Sequence, residues 1–214
     1  YIIPSLTSTF AESGLDLPWA TRAVMAVSNF LQKYIVVLAF AIVGFVLLLR
    51  LYAKTYGGRR NLDIFKLKLP IFGKLFSYIY LMRFTRSLST LLKGGVPITR
   101  SLSIVAEVVG NTIYRELILE TLESINDGNP LSSVMENSSY VPNMVPQMIA
   151  VGEKTGKIDS VLDRITDFYE RESSNMLDNL SKLMEPIIMV IMGIGVGIMV
   201  AAVLLPMYNM ANAI

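Results

Sequence analysis

The sequence contains no cysteine and no histidine. Without cysteine there is no disulfide framework, no zinc cluster of thiolates and no thiol nucleophile. Without histidine the commonest general base and metal ligand is missing, so enzymes of the Ser-His, Cys-His and His-zinc kinds are excluded by inventory. Charge is scarce too: 17% of the 214 residues are charged, against 53% hydrophobic. A soluble domain has about 25% charged and ~45–50% apolar residues, so the apolar excess belongs in lipid or in a very large interface. The first residue is Tyr1 and not Met, and the chain is expected to be part of a longer polypeptide.

What is abundant is concentrated in two runs. Tyr34 to Leu49 is 16 residues without a charge or an amide, and Arg50, Leu51 and Tyr52 lengthen it to 19. About 20 residues cross a bilayer core, so this run spans if Arg50 extends its head group to the interface. Ile187 to Leu205 is a second uncharged run of 19, bounded by Pro186 and Pro206. Gly193, Gly197 and Ala201 recur in it at four-residue spacing, giving a face of small residues on which another helix can lie closely. Neither run carries an ionisable group at its middle, which disfavours a transporter or channel.

Basic residues set the orientation. From Arg50 to Arg100 there are eleven Lys or Arg against the single acid Asp63. Cytoplasmic flanks carry the Lys/Arg excess, so the segment between the runs is expected in the cytoplasm and both ends outside. The expected divisions are an extracytoplasmic hairpin over residues 1–33, with Trp19 at the interface, a transmembrane helix over 34–52, a basic juxtamembrane linker over 53–72, a cytoplasmic bundle over 73–185, a second transmembrane helix over 186–206 and an outer tail over 207–214.

The bundle reads as all-α, six helices with 3.6-residue periodicity and no strand alternation. The first follows Pro70, has its stripe at Leu75, Ile79, Met82, Leu88 and Leu91 or Leu92, and stops at Gly94-Gly95. Pro97 opens the second, with Ile98, Leu102, Val105 and Val109 on one side. Asn111 is the N-cap of the third, which carries Tyr114, Leu117, Ile118, Leu122 and Ile125. Asp127-Gly128-Asn129-Pro130 reads as stop, turn, cap and restart. A short fourth helix holds Leu131, Val134 and Met135, and a fifth holds Met148, Ile149 and Val151. In the last, Ile158, Val161, Leu162, Ile165, Phe168 and Tyr169 form a stripe that resumes at Met176, Leu177, Leu180 and Met184. No Gly or Pro interrupts Lys157 to Glu185, so this helix is expected to continue into the second span. Residues 101–185 hold 14 acids against six bases, and the acidic helices, with Glu116, Glu120 and Glu123, are candidates to meet a basic partner. The basic half is expected against anionic lipid head groups.

Gly152-Glu153-Lys154-Thr155-Gly156 fails the phosphate-loop pattern, because a carboxylate precedes the lysine and no strand comes before it. It reads better as a turn that ends a helix, with Glu153 bonding to a neighbouring helix. The glycosylation sequon at Asn137-Ser138-Ser139 is discarded, since it falls on the cytoplasmic side. The basic cluster has no interleaved aromatic platforms, so no nucleic acid is expected as partner. No metal and no cofactor is expected.

Several ordered segments carry a resemblance. Phe84-Thr85-Arg86-Ser87-Leu88, followed by Leu91-Leu92-Lys93-Gly94-Gly95-Val96-Pro97-Ile98, resembles the opening of the F-type inner-membrane platform proteins of type II secretion systems and type IV pilus machines. Gly128 with Pro130-Leu131-Ser132, Met148-Ile149 with Gly152, Glu153, Gly156 and Leu162, and Glu185-Pro186 with the run to Pro206 are similar to later signatures of that family, although Ile158 stands where Leu is usual. Leu17-Pro18 and Thr21 resemble its extracytoplasmic link. The resemblance covers nearly the whole chain and implies the C-terminal half of a longer member. It further implies a non-enzymatic, oligomeric base in the bacterial inner membrane. The implied partners are a hexameric cytoplasmic assembly ATPase, pilin or pseudopilin subunits, other inner-membrane assembly proteins and membrane lipids. The alternative is a membrane signal transducer with a helical cytoplasmic bundle, which would lack the phospho-accepting histidine.

Overall fold

A computed structural model describes residues 19–211, and the expectations placed on residues 1–18 lie outside them. Among the described residues there are eight helices and no strand. They are α1 (Trp19–Lys54), α2 (Tyr56–Lys68), α3 (Phe72–Lys93), α4 (Ile98–Val108), α5 (Thr112–Asn126), α6 (Leu131–Glu136), α7 (Met144–Thr155) and α8 (Ile158–Ala211). The chain divides into two compact units, one of residues Arg50–Leu180 and one made of the stretches before and after it.

Two helices are long and apolar enough to cross a membrane, Gln32–Lys54 within α1 and Ile158–Ala201 within α8, and the most apolar window of each has no buried residue. From residue 32 to residue 52 every side chain is exposed except at Gly44, and from 181 to 200 all are. An isolated helix that is apolar all round has no counterpart in a water-soluble surface.

The Arg50–Leu180 unit is built around one core. Leu81, Phe84 and Leu88 of α3, Leu102 and Val105 of α4, Tyr114 and Ile118 of α5, Leu131 and Met135 of α6, Val145 and Ile149 of α7, and Leu162, Ile165 and Tyr169 of α8 are all buried in it. The stripes expected on α4 and α5 are the ones that face inward. On α3 the phase differs: Tyr80, Leu81 and Phe84 are buried, whereas Ile79 and Met82 are half-buried. The aromatic rings carry more area than the aliphatic side chains that suggested the stripe. Tyr80 meets Tyr114 at 5.5 Å between ring centroids. The Tyr114 hydroxyl donates to the Tyr140 carbonyl at 2.8 Å and lies 2.7 Å from Ser77 Oγ. Burial pushes the Tyr114 phenol far above its ordinary value, so it stays a neutral donor.

Three expectations are corrected. Residues 53–72 do more than link, because α2 folds there and Thr55 caps it, its hydroxyl accepting from the Gly58 N–H at 3.2 Å. Phe168 and Val151, expected on inward stripes, are 39% and 58% exposed. Leu177 and Met184 are exposed as well, because the core ends one turn beyond Tyr169.

Candidate functional site

Two of the turns singled out in the sequence, at Gly94-Gly95 and at Gly152–Gly156, meet the first turns of α8, and the third, at Gly128, is tied to α7. Gly94 ends α3, its N–H donating to the Thr90 carbonyl at 3.0 Å, and Gly95 takes a left-handed φ of 75° before Pro97, the N-cap of α4. Lys93, immediately before this turn, donates to Asp163 of α8. Ser89, one turn earlier, donates to Asp163 Oδ1 at 2.6 Å or to the Asp159 carbonyl at 3.2 Å. The bonds from Lys93 and Ser89 hold the Asp163 carboxyl below its ordinary value. Deeper in the same helix pair, the hydroxyls of Thr85 and Thr166 meet at 2.6 Å, both fully inside, and each also reaches a carbonyl one turn back in its own helix. A buried polar pair of this kind is satisfied at one register of α3 on α8 and costly at any other.

Gly152 and Glu153 work on opposite sides of α7. A Cβ at Gly152 would stand 3.1 Å from Val161 Cγ2 and 3.2 Å from the Ile158 backbone, so a larger residue would push α8 back by a few tenths of an ångström. Gly156, with φ of 66°, reverses the chain, and the Lys157 N–H then closes onto the Gly152 carbonyl at 2.9 Å. This pairing satisfies the last carbonyls of α7 in the manner of a Schellman cap. Glu153 points the other way and caps α6 from more than twenty residues along the chain. Its Oε1 accepts from the Leu131 N–H, and its Oε2 accepts from the Ser132 N–H at 3.2 Å and the Ser132 hydroxyl at 3.0 Å. The expected bond from Glu153 to a neighbouring helix is therefore present. The cap expected of Asn129 is not, because Pro130 is the N-cap residue and no local side chain bonds the first amides of α6. Gly128, with φ of 86°, makes the turn that presents those amides.

A second remote cap was missed in the sequence. Asp63 of α2 is 3% exposed, and its Oδ2 accepts from the Thr112 N–H at 2.9 Å and the Thr112 hydroxyl at 2.8 Å at the start of α5. Lys66 donates to its Oδ1 at 2.9 Å. Burial opposes ionisation of Asp63, but the bonds from the Thr112 backbone, Lys66 and the Thr112 hydroxyl outweigh it and hold the carboxyl below its ordinary value. The available signal was its isolation as the lone acid among eleven cations. Asn111 supplies the local cap as expected, its Oδ1 accepting from the Ile113 and Tyr114 N–H groups at 2.9 and 3.3 Å.

Asp63→Asn keeps one acceptor oxygen in place of two and loses the charge, so either Thr112 or Lys66 faces an N–H, and the change is expected to destabilise the chain by about 2 kcal/mol in urea unfolding. Because the folded carboxyl titrates below the unfolded one (about 3.9), its stabilisation is whole above that value. It is lost as pH falls through the folded value. The wild type should lose this increment on acidification and the variant should not.

The acidic half does not stand clear of the basic half. Glu116 accepts from Arg60 at 3.2 Å and from the Tyr56 hydroxyl at 2.8 Å. Glu170 pairs with Arg86 at 2.7 Å, and Asp163 with Lys93. Folding lays α2 and α3 beside α5 and α8, so charges that are segregated along the chain become neighbours in space. Glu116 is thus already engaged, while Glu120 and Glu123 are exposed and make no ion pair. The remaining expected residues, Gly193, Gly197 and Ala201, lie on α8, and a Cβ at either glycine would meet nothing within 4 Å. They are not part of the junction.

The bonds of this junction close helix ends, tie α6 to α7, and fix the register of α3 on α8. Among the described residues no three Asp or Glu side chains gather to hold a metal ion. Two membrane-length helices and a compact bundle locked by remote caps define a membrane-associated helical scaffold. The family model described as "Type II secretion system (T2SS), protein F" matches residues 84–206, and the chain belongs to that family. It is 34% identical to the type IV pilus assembly protein PilC of Pseudomonas aeruginosa, over all of this chain and 57% of that protein. It is likewise 34% identical to the type IV pilus assembly protein PilC of Thermus thermophilus, over all of this chain and 53% of that one. The type II secretion system protein F of Pseudomonas aeruginosa is 30% identical over 98% of this chain and 52% of its own length. The chain thus spans about half the length of these relatives.

Proposed function

We propose that this chain is the C-terminal half of an inner-membrane platform protein on which pilin or pseudopilin subunits are assembled, with the Arg50–Leu180 unit in the cytoplasm and in reach of an assembly ATPase. The observation that carries this reading is α8. It is one helix from Ile158 to Ala211 that begins in the bundle core, with Leu162, Ile165 and Tyr169, and ends in the apolar run. A push received by the bundle would pass along one continuous helix, short of a single backbone bond at Pro186, into the lipid. The assembly names of the relatives support the role, and the excess of Lys and Arg after the first span supports the orientation. Gly193, Gly197 and Ala201 offer the face by which α8 would pack on a helix of another copy or another assembly protein.

Of the three glutamates of α5, Glu120 and Glu123 are exposed and without an ion pair, and they are the carboxylates it offers to a basic partner surface. The test is co-purification of the whole protein with the cognate assembly ATPase. The platform is expected to bind it and raise its ATP turnover. Glu120→Lys together with Glu123→Lys should weaken that binding about tenfold, mainly through encounter. Binding without a change in turnover removes the coupling role, and unchanged affinity in the double variant removes this face of α5.

A further inference from the structure

The corner between α2 and α3 leaves large apolar side chains in the open. Phe65 is 62% exposed, Ile71 54% and Phe72 49%, all within eight residues. Phe65 and Lys68 share the outward face of α2, and Lys68 and Lys74 are exposed with no ion pair. The corner is fixed in shape: the Gly73 N–H donates to the Leu69 carbonyl at 2.8 Å, and a Cβ at Gly73 would stand 2.3 Å from the Leu67 carbonyl oxygen. These rings are therefore held outward by a close-packed turn. The one acid of the segment, Asp63, is turned inward and consumed at the start of α5, so the outward face is apolar and positive without a counter-charge.

We propose that this corner is a membrane-surface anchor: Phe65, Ile71 and Phe72 enter the cytoplasmic leaflet while Lys68 and Lys74 meet the phosphates of anionic lipids. Exposed apolar patches mark protein or membrane contacts, and two observations favour lipid. Only Thr55 separates α1, which ends at Lys54, from α2, so α2 starts where the span leaves the bilayer. An aromatic face rimmed by lysines is also the composition of helices that lie in the interface, with the lysine stems along the apolar boundary. The proposal rests on the reading of α1 as a span, and its test separates the two.

The chain has no cysteine, so single labels can be placed without removing native ones. Phe65→Cys, Phe72→Cys, Val43→Cys in α1 and Ser103→Cys on the exposed side of α4 are each labelled with a fluorophore in the whole chain. The proteins are reconstituted in phosphatidylcholine vesicles with or without phosphatidylglycerol. Nitroxide lipids are expected to quench the labels at 65, 72 and 43 at least about threefold more than the label at 103. Adding Lys68→Glu and Lys74→Glu should lower the quenching at 72 when phosphatidylglycerol is present and leave it unchanged when it is absent. If 43 is quenched while 65 and 72 follow 103, the anchor is wrong and the span stands. If 65 and 72 are shielded from lipid and aqueous quenchers alike, a protein surface covers the corner and the proposal also fails. If 43 itself is not quenched, the span reading falls and the anchor with it.

Discussion

Glu153→Ala is expected to cost the folded bundle about 3 kcal/mol and to release α6 before anything else unfolds. The carboxylate receives three hydrogen bonds, two from backbone amides at the N-terminus of a helix of only six residues. A helix that short does not hold itself in water, and its own N-cap, Pro130, contributes no side-chain bond. Hydrogen bonds to a charged acceptor are worth about 1.5–3 kcal/mol each and are not additive when they share one group. Leu131 and Ser132 are 1% and 5% exposed, so water does not simply replace the lost acceptor. The amides are also at the positive end of α6, where a negative charge is favoured. Glu153→Gln keeps one acceptor oxygen without the charge and should recover about half of the loss. Hydrogen exchange at the amides of Leu131 and Ser132, read beside urea unfolding of the whole chain, distinguishes the cap from a general loss of stability. Exchange there should rise in Ala and less in Gln, while at Leu102 in the core of α4 it should rise by no more than the loss of global stability read in urea. Equal protection of residues 131 and 132 in wild type and Glu153→Ala would mean that the cap contributes nothing.

The same residue shows what a sequence read by itself conveys. Helix ends were legible where the device is local: Asn111 before α5, Gly94-Gly95 after α3 and Gly156 after α7 each act within a few residues, and their chemistry is fixed by backbone geometry. The inward stripes of α4 and α5 were legible for the same reason, since aliphatic residues recur there at helical spacing. The phase of α3 was not, because Tyr80 and Phe84 compete with Ile79 and Met82 for the core, and only the shape of the space beside Tyr114 decides between them. Remote caps were the least visible. Glu153 could be seen to favour a bond to another helix, but not that α6 would receive it. Asp63 carried only the signal of being alone among cations. The acidic helices illustrate the general difficulty. Counted along the chain they are a negative surface awaiting a partner, yet Glu116, Asp163 and Glu170 are answered by Arg60, Lys93 and Arg86 once the helices pack. Exposed pairs of this sort add about 0–1 kcal/mol each, so they say more about which surface is left over than about stability.

The largest functional effect is expected from breaking α8 without touching either the core or the apolar run. Ser181 is exposed, two turns past the last core residues of the helix and one turn before Pro186. Ser181→Pro removes one intrahelical bond and drives the ring into the carbonyl of Leu177, which costs about 3 kcal/mol or more in a helix interior and bends it. Pro186 already leaves one such bond unmade at the start of the apolar run, so a second proline five residues earlier concentrates the bend in one short stretch. Leu162, Ile165 and Tyr169 are not disturbed, and neither is the run from Ile187. If α8 carries force as one rod, the whole protein bearing Ser181→Pro should reach the membrane and keep a folded bundle, yet assemble surface fibres or secrete substrate at least about tenfold more slowly. Ser181→Ala, which favours the helix, should behave as wild type. Hydrogen exchange across residues 177–185 would report the opened turn, and membrane fractionation with urea unfolding would report insertion and bundle stability. A bent α8 with assembly at the normal rate would show that motion reaches the lipid by some route other than this helix, and the bundle and the spans would then be joined only as neighbours on a chain.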